Sequence, residues 1–215
     1  MFKQNVKDPI SALTHFIGLL ACIPCIFVLL YEASHYDTMA HVIGFAIFGL
    51  SLVLLYSAST IYHSLRVSEA RTQLLRRIDH IMIFVLIAGT YTPICLVSLA
   101  GPWGWTILVL IWILAIGGTF MKIFWLQAPR WLSTSLYIIM GWLAIIAFVP
   151  LQKAVSWDGI GLLLAGGMAY TIGAVIYGLK KPNLPIGGFG FHEIFHVFVM
   201  IGSACHIAFM FQYVL

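Results

Sequence analysis

Charged side chains are scarce in this sequence. Asp, Glu, Lys and Arg make up 8% of its 215 residues, and 62% of the residues are hydrophobic. A soluble domain carries roughly 25% charged residues, so this chain cannot cover a surface that faces water. A membrane span takes about 20 apolar residues, so seven spans would use about 140 residues and leave only short loops. The sequence therefore predicts one transmembrane domain over residues 1–215.

Cysteine is also scarce, and its placement argues against a zinc knuckle or a redox motif. The four cysteines all lie in apolar stretches, at Cys22, Cys25, Cys95 and Cys205. The CxxC formed by Cys22 and Cys25 lacks the second pair or the loop that such motifs need. A segment of mixed basic and aromatic residues outside the apolar runs is missing too. The net charge of +4 therefore does not indicate a nucleic-acid partner.

Seven charge-poor runs are long enough to cross a bilayer as helices. The stretch from His80 to Met121 has no Lys, Arg, Asp or Glu and is too long for one crossing. A turn at 100–105, rich in Gly, Pro and Trp, divides it in two. We therefore predict an all-α, seven-helix transmembrane bundle with spans at 11–31, 41–65, 80–99, 103–124, 131–151, 158–179 and 191–213.

The basic residues predict the orientation of the bundle. Cytoplasmic loops are enriched in Lys and Arg. With seven spans, Lys153 alone lies on one side of the membrane, and ten basic residues lie on the other. These ten are Lys3, Lys7, Arg66, Arg71, Arg76, Arg77, Lys122, Arg130, Lys180 and Lys181. We expect the N-terminus to be cytoplasmic and the C-terminus to be outside.

Ionisable residues at membrane depth are costly and are usually kept for function. His63 is predicted at the end of span two, Asp79 at the start of span three, and His192, Glu193 and His196 at the start of span seven. The topology brings all of them to the cytoplasmic face. Residues that are distant in sequence thus share one depth, as a single site requires.

Three of these residues suit a metal ion. His192 and His196 form an HxxxH pair, which lies on one face of a helix about one turn apart. A third imidazole from His63 would leave one position open for water or substrate. Three protein ligands and an open position are typical of catalytic zinc, which can lower the pKa of a bound water to about 7. The predicted cofactor is Zn²⁺.

Asp79 and Ser59 are the candidate catalytic residues. Asp79 could orient His63 or take a proton from the water. Ser59 lies one turn before His63 and could hydrogen-bond the water or a substrate carbonyl. Simpler readings also exist, since an isolated HxxxH can hydrogen-bond neighbouring helices. Asp79 could likewise form a solvated salt bridge with Arg76 or Arg77.

Three further histidines are not predicted to be ligands. His15 suits a polar packing role in span one, and His80 points about 100° away from Asp79 on a helix. His206 follows His192 by fourteen residues, which is about 21 Å along a helix. It is therefore expected to be a hydrogen-bonded interior residue.

The ordered set of SxxxH, Asp and HxxxH motifs resembles the bacterial hemolysin III family, and so does the opening segment at 8–18. That family is the bacterial branch of the progestin and adipoQ receptor proteins, which include the adiponectin receptors. The resemblance covers nearly the whole chain. One departure is Ser11, where relatives often have Asn.

The resemblance implies a seven-helix protein of the bacterial inner membrane with a cytoplasmic N-terminus. It also implies a zinc ion held by His63, His192 and His196. The wider superfamily includes alkaline ceramidases, which suggests hydrolysis of a lipid amide or ester. The family name suggests cytolytic activity, for which the sequence offers no amphipathic inserting segment.

Three functions follow from these observations. The first is a zinc-dependent intramembrane hydrolase with a membrane lipid as its substrate. The second is a non-enzymatic lipid-sensing or membrane-homeostasis protein whose zinc staples spans two, three and seven. The third is a pore or receptor, which should place polar residues at several depths. The concentration of polar residues at one end argues against the third function.

Overall fold

The computed structural model describes residues 6–36, 38–184 and 189–215. This part of the chain contains seven helices long and apolar enough to cross a membrane, and it contains no strand. The predicted all-α architecture and the seven spans are confirmed. The helices are α1 Pro9–Ala33, α2 Met39–Ser64, α3 Glu69–Ser98, α4 Pro102–Phe124, α5 Arg130–Ala154, α6 Trp157–Leu179 and α7 Phe191–Val214. A helix satisfies its own backbone polar groups, which lipid cannot do.

The helix α3 begins eleven residues before the predicted start of span three, at Glu69 rather than at residue 80. Its first turns are polar but contain good helix formers, and Glu69 accepts a hydrogen bond from Gln73 at 3.0 Å. Asp79 therefore lies almost three turns inside the helix rather than at its start. The polar residues 69–79 limit the predicted membrane span, but they still belong to the helix.

The helix α5 changes its winding halfway through the bundle. A 3₁₀ segment, Leu143–Ala147, interrupts it after Gly141. Tyr91 of α3 spans the break, since its hydroxyl donates to the Gly141 carbonyl at 2.8 Å and accepts from the Ala144 amide at 2.9 Å. A side chain that satisfies the freed backbone groups makes such a break tolerable inside a membrane.

The helices α1, α2 and α3 pack in sequence, α6 packs along α7, and α7 returns to contact α1. Small residues permit close approach between helices. Gly118 lies directly against the Phe84 ring, and Gly166 lies against the His206 ring. The neighbouring Gly117 has open space where a side chain would stand. One glycine of this pair is therefore a contact residue and the other is not.

Because successive helices cross the membrane in opposite directions, the end of α2 lies at the same end of the bundle as the starts of α1, α3 and α7. Tyr36, after α1, donates to the C-terminal Leu215 carbonyl at 2.6 Å at the opposite end. We call the end that carries His63 the basic end, because nine of the ten basic residues in the described ranges belong to it and Lys153 belongs to the other. Lys3 lies outside the described residues. The assignment of the basic end to the cytoplasm stays a prediction.

Candidate metal centre

Three imidazoles meet at the basic end of the bundle. His63 belongs to the last turn of α2, and His192 and His196 belong to the first turns of α7. One ring nitrogen of each lies within 4.8 Å of the others, and the Nε2 atoms of His63 and His192 are 3.1 Å apart. The arrangement could hold a metal ion, as the sequence predicted.

Hydrogen bonds from outside the cluster fix two of these rings. His63 Nδ1 donates to Oδ2 of Asp8 at 2.9 Å. His196 Nδ1 lies 3.2 Å from the Ser11 carbonyl, to which it donates. An imidazole that donates from Nδ1 has its Nε2 lone pair available for a metal, and metal-binding histidines usually carry such a partner.

The donor set fits zinc. Zn²⁺ takes imidazole nitrogens at about 2.0–2.1 Å, so tetrahedral ligand atoms lie roughly 3.3–3.4 Å apart. The 3.1 Å between the two Nε2 atoms is close to that separation. His63 and His196 are almost fully buried, at 2% and 1% exposure, which favours the neutral form that binds metal. Only modest movements would be needed to receive the ion.

Asp8 is a site residue that the sequence analysis did not identify. The sequence suggests Asp79 as the residue that orients His63. In the structure, the hydrogen bond to Nδ1 of His63 is made by Asp8 instead. The topology already contained the signal, because Asp8 starts span one at the membrane face where His63 ends span two.

Ser11 and Glu193 link α1 to α7 beside the cluster. The Ser11 hydroxyl donates to one carboxylate oxygen of Glu193 at 2.7 Å, and the other oxygen accepts from the Gly190 amide at 2.8 Å. Glu193 therefore caps α7, whereas a solvated role is its simplest interpretation from the sequence. Ser11 therefore holds the same helix start that carries His192.

Asp79 and Ser59 lie near the cluster on the wall of one internal cavity. They are 7% and 1% exposed. Within the described chain, no ion pair within 4.0 Å joins Asp79 to Arg76 or Arg77. The simpler reading of Asp79 as half of a solvated salt bridge therefore finds no support.

The cavity reaches from the cluster into the bundle. His192 and His196 line it at the basic end, and its deeper wall is largely apolar. Apolar lining residues include Leu86, Ile87, Trp142, Phe195 and Val199. A second cavity shares Tyr91, Gly141 and Trp142 with the first. The break in α5 lies where the two cavities meet.

Three other histidines, His15, His80 and His206, behave differently from one another. His15 packs, as predicted, with its ring stacked on His196 at 3.6 Å between centroids. His80 lines the cavity. His206 lies against Gly166, and its Nδ1 has no hydrogen-bond partner among the described residues.

Known proteins resemble this chain along most of its length. A family model described as Haemolysin-III related matches residues 3–207. Hemolysin-3 of Bacillus cereus is 45% identical over 202 residues, which cover 94% of this chain and 89% of the relative. The Hemolysin-3 homolog of Bacillus subtilis (strain 168) is 44% identical over 93% of this chain and 91% of its own length.

A human protein is more distantly similar. The Monocyte to macrophage differentiation factor of Homo sapiens is 26% identical over 171 residues, covering 78% of this chain and 68% of that protein. The two bacillus relatives and the family model extend over nearly all seven helices, including those that carry the histidine cluster. The chain belongs to the haemolysin-III-related family and is a multi-pass membrane protein.

Proposed function

We propose that this protein is a zinc-dependent intramembrane hydrolase that cleaves an amide or ester bond of a membrane lipid. The observation that carries the proposal is the common wall of His192, His196, Asp79 and Ser59 on one largely apolar cavity. If the histidines served only to join helices, they would not need an adjoining cavity that is also lined by Asp79 and Ser59.

The histidines and their supports provide a preorganised donor set. Bound zinc would supply a Lewis acid that polarises a carbonyl and makes water more acidic. Asp8 holds His63, and the Ser11 carbonyl holds His196. Both rings are therefore oriented before a substrate arrives, which lowers the cost of reorganisation during reaction.

Asp79 and Ser59 can serve the reacting bond from the cavity side. The Asp79 carboxylate can accept the proton of an attacking water. The Ser59 hydroxyl, which lines the same cavity, can donate to the carbonyl oxygen as negative charge develops on it. The apolar walls can take an acyl chain and exclude water from the reacting bond.

The proposed setting is the bacterial inner membrane, with the basic end in the cytoplasm. The asymmetry of basic residues supports this orientation. The site would then open at the inner leaflet, where a lipid substrate can enter between helices.

Metal analysis combined with lipid mass spectrometry tests the proposal. Purified wild type should contain about one zinc per chain and release lipid cleavage products. His192→Ala should lose both, whereas Asp79→Asn should keep zinc and lose turnover. Asp158→Asn is a matched control, because Asp158 is exposed at the opposite end of the bundle.

The outcomes separate catalysis from a structural role. Full zinc with no product from the wild type would support a staple that joins α2 to α7 instead of an enzyme. Product formation by metal-free His192→Ala would exclude a zinc mechanism.

A further inference from the structure

Three cationic side chains line the same cavity. Arg76 comes from the first turns of α3, Lys122 from the end of α4 and Arg130 from the start of α5. All three line the same cavity as His80 and two members of the histidine cluster. They form one cationic group, which we call the basic triad.

Lys122 is the most unusual member of the triad. It is 2% exposed, and its ammonium group donates to the Ser133 hydroxyl. An ammonium has three donors, and a neutral hydroxyl cannot compensate for the loss of water around a charge. Among the described residues, no carboxylate lies within 4.0 Å of Lys122. The buried charge therefore needs a partner that the described chain does not supply.

Further polar atoms around the triad also lack partners. Within the described ranges, Nη1 of Arg130, Oγ1 of Thr134 and Nδ1 of His80 are buried without a hydrogen bond, and all three residues line the cavity. The Arg130 guanidinium lies over the Tyr177 ring, 5.1 Å from its centre, which limits its movement. Asp79 is the only carboxylate on the described wall of this cavity, so positive charge is in excess there.

We infer that the basic triad binds the phosphate group of an anionic lipid, whose apolar chain occupies the rest of the cavity. Arginine offers a planar fork that matches oxyanions, and lysine adds a point charge. A phosphate carries one or two negative charges, which would balance the excess at the triad. As a statement of substrate class, this inference rests on the proposed function. As a binding site, it can be tested without turnover.

The test measures binding of radiolabelled oleoyl lysophosphatidate to the full-length protein in a neutral detergent. Monooleoylglycerol, which has the same chain and no phosphate, and inorganic phosphate serve as competitors. The phosphate lipid should bind at least about tenfold more tightly than either competitor. Lys122→Gln and Arg130→Gln should each weaken its binding by about 10- to 100-fold. Arg130→Lys, which keeps the charge, should lose less.

Arg71→Gln is the matched control. It removes one positive charge from the same end of the bundle, but Arg71 is exposed and does not line the cavity. Its affinity should stay within about twofold of wild type, as expected for a screened surface charge. If Lys122→Gln does not fold, as judged by its melting temperature and elution profile, the two Arg130 variants decide.

Equal binding of the neutral and phosphate lipids would overturn the inference, and so would equal losses in Arg71→Gln and Arg130→Gln. Inorganic phosphate that binds as tightly as the lipid would overturn the assignment to a lipid. Selective binding without any lipid cleavage would support the phosphate site at the basic triad and contradict the proposed hydrolase function. Cleavage of neutral lipids without phosphate selectivity would contradict the phosphate site at the basic triad and support the proposed hydrolase function.

Discussion

The substitution Asp8→Asn probes the hydrogen bond that orients His63. Asparagine keeps the size of the side chain and removes its negative charge. The backbone amide of residue 8 donates to the His63 carbonyl at 2.8 Å in either case. The Asp8 side chain makes no capping hydrogen bond to α1, so the start of the helix should not be weakened. The variant therefore tests the carboxylate charge that faces Nδ1 of His63, and it also removes the exposed Lys7–Asp8 ion pair.

The expected magnitude follows from the exposure of Asp8. Loss of a partner that orients a metal-binding histidine typically costs 10- to 100-fold in metal affinity. The contact is short, at 2.9 Å, but the Asp8 side chain is 41% exposed and Lys7 lies 3.5 Å from the same oxygen. Solvent and the lysine both weaken the effect of the carboxylate on His63. We therefore expect the lower end of that range, about tenfold weaker zinc binding.

Competition with a fluorescent zinc chelator measures this affinity in purified protein. Lys7→Gln serves as the control, because it alters the same exposed pair and leaves the hydrogen bond to His63 in place. Its zinc affinity should stay equal to that of wild type or rise slightly. An unchanged affinity in Asp8→Asn would refute the assigned role of Asp8. So would an equal loss in both variants.

Two further substitutions test the scaffold by thermal unfolding. Tyr91→Phe removes both hydrogen bonds across the break in α5 and leaves the Ala144 amide without its partner, so the free energy of unfolding should fall by about 1–3 kcal/mol. Gly118→Ala places a methyl group against Phe84 and should lower the free energy of unfolding by about 1–3 kcal/mol. Gly117→Ala, with open space around it, should be neutral or stabilising. Equal melting temperatures for the two alanine variants would contradict the packing described here.

The sequence was sufficient for the architecture because lipid imposes a simple rule. Apolar runs of sufficient length must be helical, and the alternation of spans then fixes which residues share an end of the bundle. Those two facts place His63 at the same depth as His192 and His196 without any knowledge of helix packing. Only the number and the order of the spans are needed to assign a residue to one end of the bundle.

The supporting contacts could not be predicted in the same way. Sharing a depth does not say which helices are neighbours around the bundle. The Asp8–His63 and Ser11–Glu193 hydrogen bonds depend on α1 lying between α2 and α7. The break in α5 depends on Tyr91 of another helix. Such features are set by side chains that meet across helices, which a single sequence does not reveal.

The burial of Lys122 is not explained by membrane topology and instead supports a role in binding. The positive-inside rule would account for basic residues at this end of the bundle, but exposed positions would satisfy it, as Arg71 and Lys180 do. Topology gives no reason to withdraw the Lys122 ammonium from water, where its charge is best solvated. The cost is recovered only if an anion meets the ammonium inside the cavity. The same excess of positive charge would raise the local concentration of anionic lipid beside the histidine cluster, so the basic triad and the proposed metal centre would favour the same class of molecule.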